Sequence, residues 1–269
     1  MHITLLGTGN AFVTECYNTC FTLHFNNKND IFLVDAGGGN TILSQLKKAN
    51  INYTDIKNIF VTHKHIDHIL GVIWMIRAIG KSMQHGTYTS DCNIYSHAEV
   101  IDILRRMSKE LLNKKEIEFL DNRIHLITIT DGESKIINNQ KVTFFDIHST
   151  KATQYGFSIQ LENGKKLTCC GDEPFNDHEI SYVRGADWLL HEAFCLFSQI
   201  HIFKPYDKHH STVKDACEVA TRFNIKNLIL YHTEDKNIAN RKELYTKEGK
   251  KYFTDNLYIP DDLEVIELN

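Results

Sequence analysis

The segment IFVTHKHIDHILGV, residues 59–72, places three histidines and one aspartate within six positions, directly after an apolar run. The run predicts a buried strand, and the apolar residues that follow the cluster predict a helix wedged against a sheet. Imidazole and carboxylate are common metal ligands, and four such groups side by side are unusual in a purely structural role. The segment therefore predicts a metal site where a strand passes into a helix.

The composition sets limits on the possible partners. The chain has 269 residues and a net charge of -4, from 30 Lys plus Arg against 34 Asp plus Glu. This balance excludes a generally basic surface of the kind that holds long nucleic acids by their phosphates, although a local basic patch is compatible with it. The 15 histidines are the unusual feature and favour a transition-metal site.

The cysteines and the apolar segments help to predict the cellular compartment of the protein. Seven cysteines, odd in number and irregularly spaced, do not form a disulfide framework, so we expect reduced thiols. The start MHITLLGTGN lacks the basic region and apolar core of a signal peptide, and no stretch approaches the ~18 apolar residues of a membrane span. We therefore expect a cytoplasmic protein with no membrane partner.

Strands and helices are predicted to alternate in two similar halves. In the first half, short strands up to DIFLVDAG precede the helix TILSQLKKAN, the strand NIFVTH and a further strand and helix. The second half begins with strands near residue 122, contains a hairpin turn at Asn163-Gly164, and again ends in alternating strands and helices. This order predicts an α/β fold with two sheets packed as a sandwich and helices outside. The Lys- and Glu-rich stretch 236–251 predicts a solvated helix.

Polar side chains recur at five predicted strand ends, where open α/β folds place their ligand chemistry. His63 and His65 lie two apart on extended backbone, so they point the same way and can bind one metal, whereas Asp67 and His68 can reach a second. Both sites need further ligands, and the other strand ends supply His148, Asp172 and His232. Zinc suits this mixed set of imidazoles and carboxylates, and manganese or iron is also compatible with it.

The HKHIDH cluster has the H-x-H-x-D-H signature of the metallo-β-lactamase superfamily. The chain resembles ribonuclease Z and its close relatives in LLGTGNAF, FLVDAGGGN, the Gly171-Asp172 pair, HEAF at 191–194 and HST at 210–212, in the same order. The resemblance implies one domain over residues 1–269, an αββα sandwich of two mixed sheets with flanking helices, and commonly a homodimer. It also implies one zinc on His63, His65 and His148, a second on Asp67, His68 and His232, and Asp172 as the bridge.

The same resemblance implies the catalytic groups. In the family the HEA segment and the HST histidine lie beside the scissile phosphate, so Glu192 and His210 are candidates for a proton-transfer pair. His210 is preferred to its neighbour His209 because the Ser and Thr of the motif follow it. Two zinc ions, or two Mn²⁺ ions, activate a water and clamp a phosphoryl oxygen, and Asp67 can orient or deprotonate that water. We therefore expect a metal-dependent phosphodiesterase.

One departure from the family limits the substrate. Ribonuclease Z enzymes typically carry a long Gly- and basic-rich arm between the positions of His148 and Asp172, and the interval 149–171 has no room for it. A small or cyclic nucleotide or a short RNA is therefore the expected substrate. Processing of tRNA 3′ ends is the alternative reaction, and a non-catalytic, metal-binding nucleotide sensor is the alternative of another class. Three roles are compatible with the segment 198–208: it could cover the substrate, contact a dimer partner or be an ordered connection.

Overall fold

The computed structural model describes residues 1–25 and 30–269. Its helices are α1 (Thr41–Lys48), α2 (Ile66–Gln84), α3 (Ala98–Leu111), α4 (Ile180–Val183), α5 (Ile200–Phe203), α6 (Val213–Arg222) and α7 (Arg241–Gly249). Its strands are β1 (His2–Gly7), β2 (Cys20–His24), β3 (Ile31–Val34), β4 (Ile56–Phe60), β5 (Cys92–Ser96), β6 (Ile124–Thr128), β7 (Ser134–Ile137), β8 (Gln140–Asp146), β9 (Tyr155–Gln160), β10 (Lys166–Cys169), β11 (Trp188–Glu192), β12 (Asn227–Tyr231), β13 (Asn256–Tyr258) and β14 (Glu264–Glu267).

The described residues fall into two compact units. The first comprises Met1–Gly7, Tyr17–Thr130 and Asp262–Asn269, and the second comprises Thr8–Cys16 and Asp131–Asp261. Each unit contains one seven-stranded sheet. The single domain expected over residues 1–269 stays a prediction.

The sheet of the first unit has the order β14-β1-β2-β3-β4-β5-β6. Its strands pair antiparallel from β14 to β3 and parallel from β3 to β6. Parallel neighbours need crossovers, which α1, α2 and α3 provide. Val72, Met75, Ile76 and Ile79 of α2 are all completely buried, as the apolar sequence of this helix predicts. Because β3 and β4 run parallel, the residues that follow them meet at one edge of the sheet.

The sheet of the second unit has the order β13-β12-β11-β10-β9-β8-β7. Here β10 to β13 are parallel and β7 to β10 are antiparallel, so both sheets are mixed. The predicted hairpin joins β9 to β10, and Gly164 has the positive φ, 82°, that its turn requires. The parallel strands β10, β11 and β12 bring the polar residues at their ends to one edge.

The helix predicted within 236–251 is present as α7, but the prediction that it is solvated is wrong for one of its faces. Arg241, Tyr245 and Glu248 are buried. The hydroxyl of Tyr245 donates to the carbonyl of Phe194, and Glu248 accepts backbone amides of the segment at 197–198 at 2.6 and 3.0 Å. A polar face can be buried when each long side chain finds hydrogen-bond partners, and such partners leave no apolar pattern in the sequence.

The segment 198–208 forms short helical turns, α5 and two 3-10 turns at Phe197–Gln199 and Tyr206–Lys208. None of the seven cysteines, all of which lie in the described ranges, forms a disulfide. Across residues 1–25 and 30–269, no helix has both the length and the apolar character that crossing a membrane requires.

Candidate metal centre

Four of the predicted metal ligands lie in the first unit, between the end of β4 and the first turn of α2. His65 precedes the helix with extended backbone (φ -63°, ψ 147°), and Asp67 lies in the first helical turn. The partial positive charge of a helix N-terminus stabilises a carboxylate there. His63, Asp67 and His68 are buried, and His65 is half-buried. The cluster is therefore an interior group of candidate metal ligands rather than a solvated loop.

The spacing of these side chains fits metal coordination. Nε2 of His63 lies 2.9 Å from Nδ1 of His65, and Nε2 of His68 lies 3.3 Å from Oδ2 of Asp67. Zinc bonds of about 2.0–2.1 Å in tetrahedral geometry place neighbouring ligand atoms roughly 3.3 Å apart. Both pairs therefore have about the separation of adjacent ligands on one ion. The imidazole and carboxylate donors suit zinc and also manganese.

Asp35, directly after β3, supports this cluster and was not among the predicted site residues. Its Oδ1 accepts the amide of Thr62 at 2.8 Å, and its Oδ2 accepts the hydroxyl of Thr62 and Nδ1 of His68, both at 2.8 Å. The Thr62 oxygen lies 2.9 Å from Nδ1 of His63. With both Nδ1 atoms protonated, His63 and His68 present their Nε2 lone pairs as ligand atoms.

Substitution of Asp35 by asparagine is expected to weaken zinc binding by about 10–100-fold, the usual effect of losing a partner that orients a ligand. In asparagine one of the two oxygens becomes an NH2 group that cannot accept, so either the amide of Thr62 or the pair formed by the Thr62 hydroxyl and Nδ1 of His68 loses its acceptor. Competition with a chromogenic chelator measures this affinity. Asp55→Asn, a change of the same type in a turn of the first unit, is the control, and equal affinities for the two variants would contradict the role of Asp35.

A close approach by α2 fixes the orientation of the cluster. A side chain at Gly71 would collide with the carbonyl of Ala36, so only glycine lets the helix pack this near the residues after β3. The amide of Gly71 donates to Gly37 at 2.8 Å, and the amide of Ala36 donates to His68 at 3.1 Å. The start of α2 is therefore held against the turn that carries Asp35.

In the second unit, Asp172 and His232 lie just after β10 and β12. Asp172 follows Gly171, whose φ of 77° glycine adopts without strain. Oδ2 of Asp172 is 3.4 Å from Nε2 of His232, and both side chains are buried. This separation is again that of neighbouring ligands on one metal.

Glu192 and His210 form a close pair in the same unit. Oε2 of Glu192 lies 2.7 Å from Nδ1 of His210, and Oε1 accepts the amide of Ser211 at 2.7 Å. His232 is adjacent, with its Nδ1 3.8 Å from Oε2 of Glu192. His209 is exposed and instead lies near Thr150, so His210 is the histidine that pairs with Glu192.

Burial controls the protonation of this pair. It raises the pKa of Glu192 to about 8 and lowers the pKa of His210 to about 4. Burial therefore favours the uncharged forms of both groups, a protonated carboxyl group beside a neutral imidazole. The Glu192 side chain is 0% exposed and that of His210 is 12% exposed, so only the histidine can meet a substrate. This arrangement can hold a proton at His210 and replace it from Glu192.

His148 is placed differently from the other predicted ligands of its unit. It is exposed, and its ring stacks on His178 with 3.8 Å between the ring centroids. Within the described part of the second unit, the possible ligand atoms found within 4.8 Å of one another belong to Glu192, His210 and His232. Metal binding by His148 stays a prediction, and it requires the side chain to turn away from His178.

Backbone conformation marks the same strand ends. Asp35, His148 and His232 have φ values of 55°, 54° and 56°, in the left-handed region that residues with a Cβ disfavour. Such conformations concentrate at functional sites because the surrounding structure has to impose them. The spacing of apolar residues in the sequence does not predict these backbone conformations.

Glu179, a buried carboxyl group near the Asp172 segment, gives a prediction about pH. Burial raises its pKa from 4.5 to about 8. The folded protein therefore retains this proton where the unfolded chain has lost it, so the free energy of unfolding decreases as pH rises from about 4.5 to about 8. The free energy of unfolding is measured with urea at pH 5.5 and at pH 8.5, each within about one unit of one of these pKa values. Its decrease between the two pH values should be smaller in Glu179→Gln than in the wild type. Asp177→Asn, an exposed neighbour, is the control, and the same loss in Glu179→Gln as in the wild type would contradict the prediction.

Three comparisons relate the chain to known proteins. Ribonuclease Z of Prochlorococcus marinus (strain AS9601) is 26% identical over an alignment of 321 positions that covers 100% of both chains. The metallo-β-lactamase fold protein YhfI from Bacillus subtilis has a TM-score of 0.78 and 19% identity and covers 98% of each chain. Human tRNase Z, short form (ELAC1), has a TM-score of 0.75 and 21% identity and covers 100% of each chain.

These similarities confirm the predicted α/β fold class, the metallo-β-lactamase fold with two mixed sheets and flanking helices. With the histidine and aspartate clusters, they define a metal-dependent hydrolase of the metallo-β-lactamase superfamily, on its ribonuclease Z-like branch. Residues 1–256 match the model of the anti-Pycsar protein Apyc1 family, and the chain belongs to that family.

Proposed function

We propose that the protein is a dinuclear zinc phosphodiesterase that hydrolyses a small or cyclic nucleotide. The observation that carries the proposal is the pair of buried Glu192 and partly exposed His210, 2.7 Å apart and next to the ligand candidate His232. Metal binding alone needs no such pair, whereas hydrolysis of a phosphodiester with a poor leaving group needs a proton donor.

We assign the metal ligands by the ribonuclease Z-like pattern. His63, His65 and His148 would hold one zinc, Asp67, His68 and His232 would hold the second, and Asp172 would be a ligand of both. The ligand-atom separations of 2.9, 3.3 and 3.4 Å within the two units support the assignment. When bound, the ions supply a water of lowered pKa and positive charge facing the phosphoryl oxygens, and Mn²⁺ is the alternative metal.

The catalytic roles follow from position and burial. Asp67 is buried at the start of α2, where it can orient the attacking water or accept its proton. His210 donates a proton from Nε2 to the leaving oxygen, while the carboxyl proton of Glu192 passes to Nδ1. Ser211, whose amide binds the other oxygen of Glu192, keeps that carboxyl group aimed at the imidazole.

Two observations favour a small substrate. The β9–β10 hairpin occupies most of the interval between His148 and Asp172, where a tRNA-binding arm would be inserted. The alignment to the P. marinus ribonuclease Z has 321 positions whereas the chain has 269 residues, so the relative has residues with no counterpart here. A chain with a net charge of -4 and no arm has little to hold the body of a tRNA.

Cleavage of tRNA 3′ ends is the second candidate, and the full-length similarity to ribonuclease Z favours it. A short RNA is an intermediate case of the same chemistry. A non-catalytic nucleotide sensor is disfavoured by the retained Glu192–His210 pair, because a sensor does not need a proton donor.

A substrate panel tests the proposal. Purified zinc-loaded and manganese-loaded protein is incubated with bis-p-nitrophenyl phosphate, a set of cyclic nucleotides and a precursor tRNA. Hydrolysis of bis-p-nitrophenyl phosphate and of at least one cyclic nucleotide is expected. Cleavage of the precursor tRNA alone would favour the second candidate, and inactivity on all three substrates would contradict the enzyme proposal.

We also propose a cytoplasmic homodimer. Seven cysteines without a disulfide among the described residues support a reducing compartment, and the ribonuclease Z-like pattern supports the dimer. Light scattering after size exclusion tests the dimer, which predicts about twice the 31.1 kDa of one chain. A mass of one chain would contradict it.

A further inference from the structure

The helix that follows the His232 loop begins with a completely buried arginine. Arg241 is the first residue of α7, and its side chain is 0% exposed. Its acid partner Asp261 is 3.1 Å away and is itself half-exposed. Taking a guanidinium out of water costs free energy that one half-exposed ion pair does not recover. The other hydrogen bonds of the Arg241 guanidinium group therefore indicate its structural role.

These contacts join two loops at the end of β12. Nη1 of Arg241 donates to the hydroxyl oxygens of Thr233 at 2.7 Å and Thr8 at 3.1 Å, and Nη2 donates to the carbonyl of Pro260 at 2.8 Å. The planar guanidinium makes all of these bonds at once, which the single ammonium group of a lysine cannot. The amide of Thr233 also donates to the carbonyl of Thr8 at 3.0 Å.

Thr233 directly follows His232, so its position constrains the imidazole. His232 has a φ of 56°, and a residue with a Cβ stays in that conformation only where its neighbours are fixed. The carbonyl of Thr233 accepts the backbone and side-chain amides of Asn10, both at 3.0 Å. Arg241, Thr8 and Asn10 thus hold the hydroxyl, the amide and the carbonyl of one residue.

We propose that Arg241 is a positioning residue for the metal site. Through Thr233 it maintains the left-handed backbone of His232 and so the direction of the imidazole. The inference rests on the proposed role of His232 as a metal ligand. Arg241 acts through Thr233, so its loss should weaken metal binding while leaving the chemistry available when metal is in excess.

Three variants of the full-length protein separate this role from general stability. Arg241→Met removes the whole network, and Thr233→Val removes only one hydroxyl while keeping the shape of the side chain. Lys242→Met is the matched control, because Lys242 also pairs with Asp261, at 3.0 Å, but is half-exposed. Zinc affinity is measured by chelator competition, alongside the unfolding temperature and the rate on bis-p-nitrophenyl phosphate at limiting and saturating zinc.

Arg241→Met and Thr233→Val are expected to bind zinc about 10–100-fold more weakly, and saturating zinc should restore most of their rate. Lys242→Met should bind zinc like the wild type, and Arg241→Lys should recover part of the affinity. If Arg241→Met does not fold, Thr233→Val decides the test.

The variant His232→Ala distinguishes failure of the proposed role of Arg241 from failure of the proposed metal-ligand assignment. If it loses affinity while Arg241→Met and Thr233→Val bind zinc like the wild type, the role of Arg241 is overturned and the proposed function stands. If His232→Ala also binds zinc like the wild type, the ligand assignment beneath both proposals is overturned.

Discussion

Asp67→Ala is expected to lower the rate on bis-p-nitrophenyl phosphate by more than the roughly 10–100-fold that follows loss of an outer partner of a metal ligand. The Asp67 carboxylate is buried and lies 3.3 Å from Nε2 of His68. Its removal deletes a proposed ligand and the group proposed to orient the water. Metal content, measured on the purified protein by mass spectrometry, should fall together with the rate.

Asp102→Ala is the matched control for this substitution. Asp102 is an exposed carboxylate of α3 that pairs with Arg106 at 2.9 Å. Exposed pairs of this kind contribute little, so rate and metal content should equal those of the wild type. A wild-type rate and metal content in Asp67→Ala would contradict both roles of Asp67.

His210→Ala and Glu192→Gln are expected to lower kcat on a cyclic nucleotide by about 10²–10⁴-fold, the usual contribution of a positioned proton donor. In the proposed mechanism the imidazole holds the proton, and the buried carboxyl group 2.7 Å away supplies the next one. Metal content should fall much less than in Asp67→Ala, because neither residue is an assigned ligand.

The leaving group provides the sharper readout. p-Nitrophenolate departs as a stabilised anion, so the loss in His210→Ala should be much smaller on bis-p-nitrophenyl phosphate than on a cyclic nucleotide. His209→Ala removes the neighbouring, exposed histidine and should leave both rates unchanged. Equal losses on the two substrates would show that His210 is not the proton donor.

The cluster of candidate metal ligands in the first unit could be predicted from local sequence. His63, His65, Asp67 and His68 lie within six positions at a strand-to-helix junction, so their proximity follows from strand and helix geometry alone. The alternation of strands and helices was predictable for a similar reason, because each crossover helix is amphipathic or apolar over its own length. The two mixed sheets were implied by the resemblance to ribonuclease Z and not by this pattern.

The supporting residues could not be predicted in this way, since their contacts depend on tertiary structure. Asp35 reaches Thr62 and His68 because β3 and β4 pair in parallel. Arg241 reaches Thr8 across more than two hundred residues of chain, and its stretch reads as a charged, solvated helix. A buried polar residue with satisfied hydrogen bonds has the same local sequence signature as an exposed one.

Hydrolysis of a small nucleotide phosphodiester can be followed by phosphorus NMR of a cyclic nucleotide incubated with the zinc-loaded protein. We expect the phosphodiester resonance to be replaced by that of a phosphomonoester, and metal removal to stop the conversion. An unchanged phosphodiester resonance for every cyclic nucleotide, in a sample that cleaves precursor tRNA, would contradict the proposed hydrolysis.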